Sequence, residues 1–348
     1  MLPSGRRLKY QTGMRVFWAA CLVTFVSHSA ELPQRPPNRA RDEFLKAKYE
    51  AIQGSPAAQY EVAVRSREGN GVVRDLAESV VWFRKAAEQG HPGAQRELGL
   101  AYQKGSGVAH DDAEAVRWFR KAAEQGVASA QNSLGFALST GRGVAHDDKE
   151  AAEWFRKAAE QDLASAQNNL GHCYRHGRGV SKDPAEAFRW FEKAARHHLP
   201  AAEYNLGNCY FHGHGTTADL TAAVKWYTEA AEHGHAGAQE RLGYCLLQGK
   251  GMEKNYEEGA KWYLQAAEKG NTIAQHGLAG CYANGRGVDP SRTEAYAWYS
   301  VASRDLREAA KARDELESKL SKGELKRAQR RAKELRTHLE AEASGGDH

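Results

Sequence analysis

Long apolar runs are missing from this chain. Its conspicuous apolar stretch, Val16 to Val26, spans eleven residues, too few to cross a bilayer as a helix. Cysteine is scarce, five in 348 residues, and neither a Cys-x-x-Cys nor a His-x-x-His spacing occurs, so the common zinc modules have no purchase here. No Ser-His-Asp order, no paired carboxylates in a unique context and no nucleotide fingerprint stand out. Gly249-Lys250-Gly251 resembles part of a phosphate loop, but no Ser or Thr follows the lysine and no strand pattern precedes it. A dominant charge is missing too. The net +5 comes largely from Arg6, Arg7, Lys9 and Arg15, which have no Asp or Glu beside them in residues 1–30; the rest balances at 45 − 44 = +1. A basic surface for nucleic acid is therefore not expected.

What the chain has is repetition. Trp82, Trp118, Trp154, Trp190, Trp226, Trp262 and Trp298 are each 36 residues from the next. A fixed period of this length marks stacked supersecondary units. Hydrophobic residues make up 41% and the mean hydropathy is −0.71, as suits a protein rich in charged helical surface.

One unit can be derived from residues 92–126. Ala94, Leu98, Ala101 and Tyr102 fall on one helical face, which predicts a helix A over about 92–104. Gly105 and Gly107 stop it, because glycine tolerates the left-handed conformation common at helix ends, and Val108 can plug the loop onto the core. Asp111 followed by Glu114 has capping-box spacing, and so have Asp75/Glu78, Asp147/Glu150, Asp183/Glu186, Asn255/Glu258 and Ser291/Glu294; Asp219 alone has Ala222 instead. Helix B, about 112–125, carries Ala115, Trp118, Phe119, Ala122 and Ala123 along one stripe. A lone unit cannot offset ordering costs of about 1–2 kcal/mol per residue, whereas stacked neighbours can.

The ends differ from the array. Residues 1–30 have the basic, apolar and small-residue order of a secretory signal peptide, with lipoprotein processing at Cys21 a lesser alternative. Residues 31–41, with Pro33, Pro36 and Pro37, are expected to be a linker, 42–54 a capping helix, 55–305 seven repeats, 306–341 a capping pair and 342–348 a disordered tail. In the second C-terminal helix Ser321 and Glu324 form a capping box, and Leu325, Ala328, Ala332, Leu335 and Leu339 supply the packing face. Lys322 to Arg336 holds seven Lys/Arg against two Glu, and the structural use of that helix is favoured over a membrane or acidic-partner surface.

Leu-Gly-x-x-Tyr, then Gly-x-Gly-Val-x-x-Asp, then Ala-x-x-Trp-Phe-x-x-Ala-Ala-x-x-Gly closely resembles the Sel-one-like repeats, relatives of the tetratricopeptide family. The likeness runs over about residues 42–305, most cleanly at Leu98 to Gly126 and Leu134 to Ala159. It implies an all-α fold, an α/α solenoid winding as a right-handed superhelix of seven helix-turn-helix repeats with helical caps, used as a binding scaffold. Members include periplasmic or secreted bacterial proteins. A cysteine-rich branch, associated with binding or hydrolysing β-lactams, carries one disulfide per repeat; the matching positions here are Ala123 and Ala130, or Ala159 and Ala166, which counts against that activity.

Cys173, Cys209, Cys245 and Cys281 are also 36 apart, at a place that Ala101 and Ala137 fill in earlier repeats. Stacked helices should hold equivalent points roughly 8–10 Å apart, beyond disulfide reach, so free buried thiols are expected. His197, His198, His212, His214, His233 and His235 fall at helix ends and loops, where solvation is the ordinary state.

Positions that differ between copies are free for recognition. On helix A these include Arg96, Leu100, Gln103, Asn132 and Ser139, and the aromatic and polar cluster Phe136, Asn168, His172, Arg175, Tyr204, Asn208, Phe211, Tyr244 and Leu247. If helix A lines the concave side, as the resemblance implies, they form a groove for a protein or extended peptide. The expectation is a secreted or periplasmic, non-enzymatic scaffold with no cofactor, no metal, no nucleic-acid partner and no stable membrane insertion once the signal is cleaved.

Overall fold

The computed structural model describes residues 39–345, and all of its regular structure among them is helical. The expected signal peptide and Cys21 lie outside the described residues. A leading helix α1 (Arg39–Ile52) precedes seven hairpins. These are α2 (Pro56–Glu68) with α3 (Leu76–Glu88), α4 (Pro92–Lys104) with α5 (Asp112–Glu124), α6 (Ala128–Thr140) with α7 (Asp148–Glu160), and α8 (Ala164–His176) with α9 (Pro184–Ala195). There follow α10 (Pro200–His212) with α11 (Leu220–Glu232), α12 (Ala236–Gln248) with α13 (Tyr256–Glu268), and α14 (Thr272–Asn284) with α15 (Arg292–Ala302). The chain closes with α16 (Arg307–Glu317) and α17 (Lys322–Gly345), both packed on α15. Each helix otherwise packs on its sequence neighbours, which is the connectivity of an α-solenoid.

Both ends are more helical than expected. α1 begins at Arg39 rather than 42, and α17 continues to Gly345 rather than fraying at 341. At the first site Arg39 and Glu43 form an i,i+4 ion pair with Glu43 also bound by Arg65, which ties the first turn to α2. The alanine and leucine face foreseen for the last helix is the buried one, through Ala328, Ala332 and Leu335.

Within a hairpin, the ring of helix B rests on a glycine of helix A. A Cβ built on Gly99, Gly135, Gly171, Gly207 or Gly243 would come within 2.6–2.8 Å of Phe119, Phe155, Phe191, Tyr227 or Tyr263 respectively. The tryptophans lie one residue earlier on helix B. Trp82, Trp118 and Trp154 are buried, and lysines three residues on cover their rings at 4.0–4.2 Å. Lys121, for one, lies as a lid on Trp118.

The helix B caps differ from the reciprocal box in one respect. Asp75, Asp111, Asp147, Asp183, Asp219, Asn255 and Ser291 each accept the early backbone N–H. Their own N–H groups, however, donate to helix A carbonyls, as Asp111 does to Tyr102 O at 3.0 Å. The glutamate three residues on has no donor left to bond there. Instead Glu78 and Glu150 accept from the indoles of Trp82 and Trp154, and Asp219 caps as well as the others without a glutamate. The full reciprocal box forms at Ser321 and Glu324, where no preceding hairpin competes.

Neighbouring hairpins are joined by their loops. The second loop glycine has a left-handed backbone, and a Cβ on Gly107 would lie 2.2 Å from Leu76 O, at the start of the previous helix B. Gly71 stands likewise over Ala40 O, so α1 serves as the helix B of an incomplete hairpin. These glycines are packing devices, and the phosphate-loop resemblance at Gly249 to Gly251 dissolves into the same contact, with Gly251 over Leu220 O.

Candidate functional site

Successive A helices meet along one side of the stack. Asn169 Nδ2 donates to Asn132 Oδ1 and Asn205 Nδ2 to Asn168 Oδ1, each at 2.9 Å across a hairpin boundary. Asn205 Nδ2 also lies 3.1 Å from His172 Nε2, and Arg175 Nη1 donates to Asn205 Oδ1 at 3.4 Å. One asparagine thus gathers Asn168, His172 and Arg175, three of the nine residues singled out by sequence. Burial, with Arg175, His176 and Arg178 nearby, pushes the His172 pKa down to about 4, so the imidazole is neutral and can accept the amide proton.

A second group forms one hairpin further on. The Tyr204 ring stacks on His235 with centroids 4.6 Å apart, and both Tyr204 and Phe211 border Tyr227. Tyr227 is wholly buried and donates its hydroxyl to Asn208 Oδ1 at 2.9 Å; burial holds that phenol far above its usual range. Tyr244 is half-buried between the cores of the sixth and neighbouring hairpins. Phe136 stands apart, with 47% of its surface exposed.

Three of the nine do not line an open groove. Asn168 and Asn208 are buried because Asn205 and Tyr227 occupy their polar atoms. Leu247 is buried because helix B here has Gly259 where the first hairpin has Ser79 and the other five have alanine, and the leucine Cγ fills that space, 2.9 Å from where a Cβ would stand. Its difference from other copies reports a core exchange.

Sequence comparison missed Asn205 and Arg241, and left Glu240 outside the cluster of nine. All three are in columns that vary among the copies, and Glu240 belongs to the varying helix A face although not to its aromatic and polar cluster. Arg241 lies beside Glu240, its Nε 3.4 Å from the carboxylate, and burial raises the Glu240 pKa. The miss with the clearest signal is Glu203. Gln59, Gln95, Gln131, Gln167, Gln239 and Gln275 hold its place in the other hairpins, each donating to a carbonyl eight residues back at 3.1–3.3 Å. Glu203 cannot donate. It is fully buried and takes a hydrogen bond with His233 Nδ1 at 2.9 Å, which raises that imidazole's pKa.

The cysteines at 173, 209, 245 and 281 are free and buried, and burial pushes each thiol up to about 11. Ala123, Ala130, Ala159 and Ala166 are buried core alanines, so the disulfide of the cysteine-rich branch has no counterpart at these sites. The last helix spends part of its basic charge internally, Arg331 on Glu294 and Arg336 on Ser300 O. No helix among the described residues is long and apolar enough to cross a membrane.

The Sel1 repeat model matches residues 56–91, 92–127, 128–163, 164–198, 200–235, 236–271 and 272–305, hairpin for hairpin. Among solved structures, the chain is similar to a Sel1 repeat protein from Oxalobacter formigenes, with 31% identity over 70% of this chain and 96% of that one and a TM-score of 0.64. It is also similar to a protective antigen present in uropathogenic Escherichia coli strains, with 30% identity over 87% and 81% of the two chains and a TM-score of 0.44. No curated protein matches it.

Proposed function

This chain belongs to the Sel1 repeat family, and we propose from that premise that it is a non-enzymatic scaffold, secreted or periplasmic, that grips a protein or extended peptide on the face formed by its A helices. The observation that carries this reading is the A-helix face of the fourth to sixth hairpins. There His172, Arg175, Tyr204, Phe211 and Tyr244 are half-exposed, and their rings and polar groups are held in place by Asn205, Tyr227 and His235. Rigid aromatic and arginine side chains lose little entropy on contact and are the usual anchors of an interface. The buried Asn168, Asn208 and Leu247 shape that face from behind, and Phe136 extends it by one hairpin. The export reading rests on the order of charge and hydropathy in residues 1–30.

The test is partner capture from the native cell envelope. Replacing Tyr204, Phe211 and Tyr244 together by alanine should abolish capture while the helical circular dichroism stays unchanged. Arg175→Glu, which leaves the rings in place, should weaken it as well. Capture that survives both variants would remove the face from consideration. The pure protein should not turn over nitrocefin.

A further inference from the structure

Beyond the A-helix face and independently of it, one turn of the stack has a buried glutamate where every other hairpin has a glutamine. The residue that follows the helix B terminus has a left-handed backbone in the first six hairpins; it is Gly90, Gly126, Gly234 or Gly270 in four of them and Asp162 at the end of α7. At the end of α9 it is His198, with φ 54°. A side chain there is strained, and at Asp162 hydrogen bonds with Gln167 and His197 offset the strain. Five residues after His198 the glutamine column is interrupted by Glu203, and thirty further the position of Gln89, Gln125 and Gln161 holds His233, as it holds His197 one hairpin earlier. The three exchanges converge. His198 Nδ1 lies 3.6 Å from Glu203 Oε1, and His233 Nδ1 lies 2.9 Å from Glu203 Oε2. One ligand atom from each of the three lies within 4.8 Å of the others.

The carboxylate is short of partners. Glu203 is 0% exposed, and its Oε1 accepts no hydrogen bond, although a carboxylate has about four acceptor sites and is costly to bury without partners. The imidazoles are on the solvent side, His198 largely exposed and His233 partly so, with their rings edge to face at 5.7 Å. An open approach leads to a buried anion flanked by two nitrogen donors.

We propose that His198, Glu203 and His233 form a binding site for a divalent transition metal ion, with zinc as the fitting ion and water in the remaining position. Bonds of about 2.0–2.2 Å to imidazole nitrogen and carboxylate oxygen place tetrahedral ligand atoms about 3.3 Å apart, so the three atoms, within 4.8 Å of one another here, would draw together around the ion. Two imidazoles select zinc, copper or nickel over calcium or magnesium. Binding displaces the proton from His233 Nδ1: a charged ring releases it to solvent, and a neutral ring keeps one proton on Nε2. The ion would fasten the turn between α9 and α10 to the end of α11, joining the fourth hairpin to the fifth.

The full chain, stripped with a chelator, should take up one zinc ion in a calorimetric titration, and zinc should raise its unfolding temperature. Glu203→Gln restores the glutamine of the other hairpins and His198→Gly their glycine, so both should fold. Each should lower zinc affinity by at least about tenfold, the lower end of the loss seen when even a supporting group is removed, and should erase the thermal shift. His198→Gly should also be more stable than the native chain without metal. No zinc uptake by the native chain, or uptake that both variants retain in full, would overturn the site.

Discussion

The ring of Phe119 occupies the space that a methyl group on Gly99 would need, with two ring carbons 2.6 Å from the position of its Cβ. The glycine of each Leu-Gly pair is therefore a contact surface. Gly99→Ala gains about 1 kcal/mol of helix propensity but forces the ring or the helix to move, at about 1–3 kcal/mol. The net outcome should be destabilisation in urea unfolding. Gly280, also inside a helix A, meets only the Tyr299 hydroxyl at 3.7 Å, so Gly280→Ala should stabilise by up to about 1 kcal/mol. Equal effects at the two sites would refute this account.

The loop glycines should be less forgiving still. Gly107 combines φ 72° with a Cβ position 2.2 Å from Leu76 O, and the obstacle is backbone that cannot rotate away. Gly107→Ala should cost at least about 2 kcal/mol. Because it loosens one boundary in a nearest-neighbour array, it should also split a single unfolding transition into two. A sharp, unshifted transition would count against the contact.

Acid should weaken the A-helix network through His172. Its folded pKa, about 4, is below the ordinary 6.5, so the unfolded chain takes up the proton first. The contribution is complete above the unfolded value and is lost as pH falls from about 6.5 towards 4. Protonation also removes the acceptor that faces Asn205 Nδ2. Denaturant midpoints across that window should fall more steeply for the native chain than for His172→Gln. Parallel slopes would show that His172 is not the titrating group.

The four helix A thiols should be inert. With pKa values pushed up to about 11 and side chains buried, almost no thiolate exists near neutrality. A disulfide reagent should label Cys173, Cys209, Cys245 and Cys281 only after unfolding, and rapid labelling of the native chain would contradict the burial.

The helices were legible because their signals repeat. Asp111 and its equivalents mark each helix B start, Gly105 and its equivalents each helix A end, and the period leaves no room to slip. What was not legible depends on contacts between copies. No spacing within one hairpin reveals that Asp111 N–H is already taken by Tyr102 O, or that Leu247 enters the core because Gly259 vacates it. Asn205 was hidden because an asparagine gives no sign of how many neighbours share it. Glu203 was visible in principle as an acid in a column of glutamines. It does not stand out among positions that differ in every copy, because this one differs once.

The seat of each loop glycine always belongs to the hairpin that precedes it: Gly107 rests on the start of α3, and Gly71 on α1. The array thus has a grain. A chain emerging from its N-terminus meets every docking place already built, and cutting from the C-terminus removes guests without disturbing their hosts. Cutting from the N-terminus leaves the next loop with nothing beneath it, which makes α1, the shortest claim on the fold, the element on which orderly growth of the whole stack depends.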